Sequence, residues 1–145
     1  MARPGSKHWM AIKRIMRYLK KTIDVKLCLG GFDVVLSGYC DADYAGDMDD
    51  QKSTTGYMFK VGLGAVSWNS KRQQTTATST VEAEYMATSH ATKEVIWLRL
   101  LMADVGCAQR EATMIMCDNQ GSISLAKNPT HHSRTKHIDV QYHFI

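Results

Sequence analysis

Asp41 and Asp43 close the apolar run VVLSGYC, Asp118 closes ATMIMCD, and Glu82 and Glu84 stand at the start of a long helical pattern. Strand ends and helix starts are where α/β sheets place their ligand sites. Carboxylates gathered there repel one another and resist burial, so a bound cation is a natural companion. Oxygen donors with no Cys/His constellation beside them suit Mg2+ or Mn2+ rather than zinc. Two such ions bridged by a shared Asp can activate water and stabilise a leaving oxygen in phosphodiester hydrolysis. Serine-hydrolase, P-loop and dinucleotide chemistry lack their motifs, since the chain has no GxSxG, GxxxxGK[ST] or GxGxxG.

Local geometry separates some of these acids. Ser79 followed three residues later by Glu82 has capping-box spacing, with Glu82 folding back onto the N-cap amide. Glu84 lies about 200° around the helix from Glu82 and continues through Thr88, Ala91 and Val95 toward the sheet. Asp41 and Asp43 share one face of an extended strand, so spacing does not choose between them. Asp47, Asp49 and Asp50 fall in GDMDDQK, a turn-rich loop where acids are solvated.

The elements that must position these residues follow from periodicity. Residues 8–21 place Trp9, Ile12, Met16 and Leu19 on one side of a basic amphipathic helix. Gly30 and Gly31 break the chain before the strand VVLSGYC, and GYMFKVGLGAVSW reads as a hairpin over about 56–61 and 65–69. A long helix runs from Ser79 to about Ala103, with Val81, Tyr85, Thr88, Ala91 or Thr92, Val95, Leu98 and Met102 on one face, and Gly106 marks its end. A strand over 112–118, a short helix in QGSISLAKNP and a His-rich helix in HHSRTKHIDVQYHFI complete the order helix-β-β-β-α-β-α-α.

The 145 residues suffice for one domain with a real core. No apolar run approaches the ~18 residues of a membrane span, so no membrane partner is expected. The start MARPGSKHWM lacks a secretory pattern, which points to an intracellular setting, cytoplasmic or particle-associated. Cys28, Cys40, Cys107 and Cys117 form no CxxC pair and read as core or near-surface thiols. Residues 1–27 carry eight Lys/Arg against Asp24 alone, whereas residues 28–51 carry six Asp and no base. A basic arm beside an acidic pocket suits a polyanionic partner that reaches metal-binding carboxylates.

The blocks GYCDADYAGD, KSTTGYMFKVG, VSWNSKRQQTTATSTVEAEYMA, ATKEVIWLRLLM, CDNQGSISLAKNP and HSRTKHIDVQYHFI closely resemble, in this order, the ribonuclease H domain of copia-type retrotransposon polyproteins. The segment before them looks like the end of that family's reverse transcriptase. The resemblance implies a reverse transcriptase thumb or connection remnant over 1–31 and an RNase H-like domain over 32–145. It implies an α/β fold in which helices flank a mixed sheet, and hydrolysis of the RNA strand of RNA–DNA hybrids with Mg2+ (or Mn2+).

By the same resemblance Asp41, Glu84 and Asp118 are catalytic metal ligands, and Asn119 and Gln120 lie where the fold contacts the hybrid. Arg134 and Lys136 are candidate phosphate contacts, His132 and His137 helix-surface residues or phosphate contacts, and the reverse transcriptase portion of the polyprotein is a partner. Family members carry a fourth carboxylate in a QLADIFTK-like motif after the RTKHIDVQYHFI helix, and this sequence stops before it, so the final strand and helix are expected to be missing. Asp139 is a weak substitute for that ligand. The rival expectation is an inactive remnant that still binds nucleic acid.

Overall fold

A computed structural model describes residues 4–27, 34–128 and Tyr142. In chain order the elements are α1 (Ser6–Lys21), β1 (Leu36–Asp43), β2 (Thr54–Val61), β3 (Gly64–Arg72), α2 (Thr80–Asp104), β4 (Met114–Met116) and α3 (Gln120–Lys127). The strands form one mixed sheet in the order β3-β2-β1-β4, antiparallel throughout except for the parallel pair β1 and β4. With three helices this is an RNase H-like α/β arrangement.

Side-chain alternation decides which sheet face is covered. Leu36, Gly38 and Cys40 turn inward along β1 while Tyr39 and Asp41 turn outward. The inward set meets Phe59 of β2 and Ala91, Val95, Leu98 and Met102 of α2 in one core cluster. Gly38 is required there, because a Cβ at that position would stand 2.3 Å from Cε1 of Phe59, which is fully buried on the neighbouring strand.

The α2 helix buries one face only in its second half. Residues 82–87 are buried on every side, while Val81 and Thr88, expected on the core face, are half-buried. A second cluster explains the difference: Ala83, Tyr85 and Met86 of α2 pack with Ala77, Leu125 of α3 and Tyr142. The helix begins where the capping pattern places it, with Ser79 Oγ accepting from Glu82 N at 3.2 Å. Glu82, however, reaches Thr78, accepting from its backbone N and its Oγ1 at 2.6 Å each, one residue before the expected N-cap amide. At the other end Gly106, with φ +80, closes a Schellman turn: Cys107 N donates to Met102 O and Gly106 N to Ala103 O.

Two expectations change in extent. The strand over 112–118 contracts to Met114–Met116, and two side chains supplement its short pairing with β1. Arg99 donates to the carbonyls of Gln109 and Glu111 and to Thr113 Oγ1, fixing the approach to β4. Gln109 accepts from Leu36 N and donates to Val34 O, standing in for a strand neighbour at the start of β1. The basic helix forms over Ser6–Lys21, but none of its residues is buried, so its apolar side is open. No helix is long and apolar enough to cross a membrane among the described residues. The His-rich segment lies outside them apart from Tyr142, which is buried and stacks on His90 with centroids 5.7 Å apart.

Candidate functional site

The parallel pair β1 and β4 brings two of the acids together. Tyr39 stands opposite Met116 in the register, so two residues further on Asp41 and Asp118 emerge side by side, both exposed on the outward face. They line an open cleft of about 320 Å³ with Tyr39, Cys40, Met116 and Cys117. Asp43 shares Asp41's parity but turns back over the following loop. Its Oδ2 lies 2.0 Å from where a Cβ of Gly46 would stand, so the glycine leaves room for the carboxylate.

Glu84 reaches the same place from the first turns of α2. It is only 6% exposed, and its Oε1 accepts from Ala42 N at 3.2 Å. The pairing of β4 with β1 ends at Tyr39, and Glu84 supplies the acceptor for an amide beyond it. Burial, partly offset by the Ala42 hydrogen bond, pushes the Glu84 carboxyl up to about 7, with Asp41 and Asp118 adding repulsion. A buried acid facing two others favours its neutral form until a cation joins them.

This arrangement fits a hard divalent cation, since three carboxylates converge and no Lys or Arg forms an ion pair with them among the described residues. One expectation about the donor set is corrected, because a cysteine does stand beside the acids. The groups within 4.8 Å of one another are Glu84, Cys117 and Asp118, while Asp41 stands close enough to add to the repulsion on Glu84. Cys117 belongs to no spaced cysteine motif, so the sequence gives it no sign of a role beyond packing. Strand parity carried the missing signal: Ile115 and Cys117 point toward α2, and Cys117 is the inward residue nearest Asp118. Its Sγ lies 3.9 Å from Glu84 Oε2.

The other candidates are placed unequally. Asn119 caps α3, its Oδ1 accepting from Ser122 N at 2.9 Å, so its side-chain oxygen has a structural task. Gln120, the first residue of α3, is exposed next to Asp118. Arg134, Lys136, His131, His132, His137, Asp139, His143 and Cys28 lie outside the described residues. His90 is half-buried on α2, held below the usual imidazole range by burial and by Lys93 and Lys71.

The chain is 51% identical over 142 residues, 98% of its length, to the Retrovirus-related Pol polyprotein from transposon TNT 1-94 of Nicotiana tabacum. It is 42% identical over its whole length to the Retrovirus-related Pol polyprotein from transposon RE2 of Arabidopsis thaliana. The matches span 11% and 10% of those two polyproteins, so the chain is about a tenth of their length. Over 97 residues, 66% of the chain, it is 48% identical to Secreted RxLR effector protein 161 of Plasmopara viticola, 68% of which is matched. No family model matches the chain. No solved structure matches it.

Proposed function

We propose that this chain is a segment of a copia-type retrotransposon Pol polyprotein and acts as a metal-dependent ribonuclease H that hydrolyses the RNA strand of RNA–DNA hybrids. The observation that carries the reading is the convergence of Asp41, Glu84 and Asp118, from the ends of two parallel strands and the start of α2, with no basic partner among the described residues. These residues would hold Mg2+ or Mn2+, which when bound supplies an activated water and stabilises the leaving oxygen.

The chain's own groups then have distinct tasks. Glu84, braced on Ala42 N, fixes the depth of the site, and Asp41 and Asp118 form its outer edge. The open cleft admits a polymer backbone rather than enclosing a small molecule. Gln120 stands where it can meet the hybrid, and Asn119 Nδ2 is not used by the cap. Recognition rests on groove shape, 2′-hydroxyls and phosphates, with Arg134 and Lys136 as phosphate contacts. The exposed basic α1 adds a sequence-independent attraction to the polyanion.

A second reading, binding without cleavage, is favoured by one feature: Cys117 rather than Asp41 completes the closest trio. Cleavage of a labelled RNA–DNA hybrid with Mg2+ and with Mn2+ separates the two. Metal-dependent cutting of the RNA strand that disappears in Asp118→Asn is the expected result. Salt-sensitive hybrid binding with no cutting would establish the second reading instead.

A further inference from the structure

We propose that Glu84, Cys117 and Asp118 also form a binding site for a thiophilic divalent cation of the zinc and cadmium class, which would displace the hard cation of the proposed function. The three donor atoms already lie within 4.8 Å of one another. A tetrahedral cation with metal–sulfur and metal–oxygen bonds of about 2.3 and 2.0 Å holds its ligands roughly 3.5 Å apart. The Cys117 sulfur stands 3.9 Å from Glu84 Oε2, so that pair closes with a shift of a few tenths of an ångström, while Asp118, within 4.8 Å of both, closes by up to about 1.3 Å.

The surroundings favour Cys117 over its neighbour. Both cysteines line the open cleft, and Cys117 is the half-buried one of the two, so a cation can reach its sulfur. Cys40 lies deeper, buried in the core cluster with Sγ 3.5 Å from Thr88 Oγ1. Cys117's other polar neighbours are the Cys40 thiol and Ser122 Oγ, the latter at 3.9 Å. On binding, the thiol proton leaves to solvent and the sulfur–metal bond forms. Three protein ligands leave the fourth position to water, the count of an accessible rather than a sealed site.

Thiolate selects softer cations, whereas carboxylates alone suit Mg2+. Glu84 and Asp118 serve both cations, so they compete, and the inhibition that follows rests on the proposed ribonuclease function. The binding itself does not. Titrating the 145-residue chain with Cd2+ alone, without nucleic acid, should produce a one-to-one ultraviolet thiolate-to-cadmium absorbance. Cys117→Ser should abolish it while Cys107→Ser retains it. Asp118→Asn, which leaves every thiol in place, should weaken Cd2+ binding about tenfold or more. Absorbance that survives in Cys117→Ser, or an affinity unchanged in Asp118→Asn, overturns the site. Hybrid cleavage is read separately with Mg2+, so its failure counts against the proposed function and leaves the cadmium result standing.

Discussion

Two groups of acids, one within a single loop and one drawn together from three elements, differ in almost every physical respect. Asp47 and Asp50, in the loop between β1 and β2, are neutralised locally: Arg72 reaches Asp47 at 2.6 Å and Asp50 at 3.4 Å, and Lys52 reaches Asp50 at 3.8 Å. Asp47 also turns the loop, accepting from Asp49 N at 3.0 Å. Its carboxyl is held below the usual range by the Arg72 hydrogen bond and then by the Asp49 amide. Glu84 is pushed the opposite way, because burial comes before any compensation and its charged neighbours share its sign. Carboxylates paired by the fold are finished, whereas those the fold leaves clustered and unpaired are available to a cation.

Substitution should separate the groups most sharply in activity. Asp118→Asn or Glu84→Gln should lower hybrid cleavage at least ~100-fold, while the double change Asp47→Asn, Asp50→Asn stays within about twofold, since only the first group would hold the metal. Equal losses in both groups, measured as initial cleavage rates, would erase the distinction. The next effect disturbs the site's footing without touching an acid. Gly38→Ala forces a methyl against the Phe59 ring and should destabilise the fold by about 1–3 kcal/mol in denaturant unfolding. An unchanged midpoint would mean that β1 and Phe59 separate freely.

A smaller effect follows from pH. Glu84 binds its proton more tightly in the folded chain, at about 7, than at its ordinary value of 4.5. Stability from this proton is therefore fully present below about 4.5 and is lost as pH rises through about 7. Without metal, unfolding free energy should fall by on the order of 1–2 kcal/mol between about pH 5 and pH 8, Glu84→Gln should flatten that slope, and Mg2+ should offset the loss at the alkaline end. A wild-type slope that persists in Glu84→Gln would assign it to another group. Smallest of all is Arg72→Ala, where thermal unfolding should show no resolvable change because the pair is exposed. The Asp47 carboxyl should nevertheless rise toward its ordinary range in a nuclear magnetic resonance titration.

Most of the fold was legible because the main elements carry strong periodic signals. The apolar run before Asp41, the hairpin with its glycines, and the Ser79 and Gly106 punctuation of α2 are local features, and each fixed an element or its end. The burial of α2 residues 82–87 was hidden, because Leu125 and Tyr142 are distant in sequence and no helical pattern names them. The shortness of β4 was hidden too, since Arg99 and Gln109 take over contacts that a longer strand would have made. In the site, strand ends and capping geometry brought Asp41, Glu84 and Asp118 forward as candidates. Spacing left Asp41 and Asp43 equivalent and the resemblance pointed to Asp41; in the structure Asp41 lines the cleft and Asp43 folds over Gly46.

By itself the sequence determined the inventory: which carboxylates end strands, which glutamate serves the cap, where the basic arm begins, and a run of blocks that resembles one family in order. Side-chain period and capping chemistry act over a few residues, so they can be read along the chain. Only the tertiary structure decided that Cys117 joins the acids, that Glu84 is buried against the Ala42 amide, and that Arg72 neutralises the loop rather than the cleft. Those outcomes depend on parallel register and on packing between segments more than thirty residues apart or on different elements, where distance along the chain carries no information about distance in space.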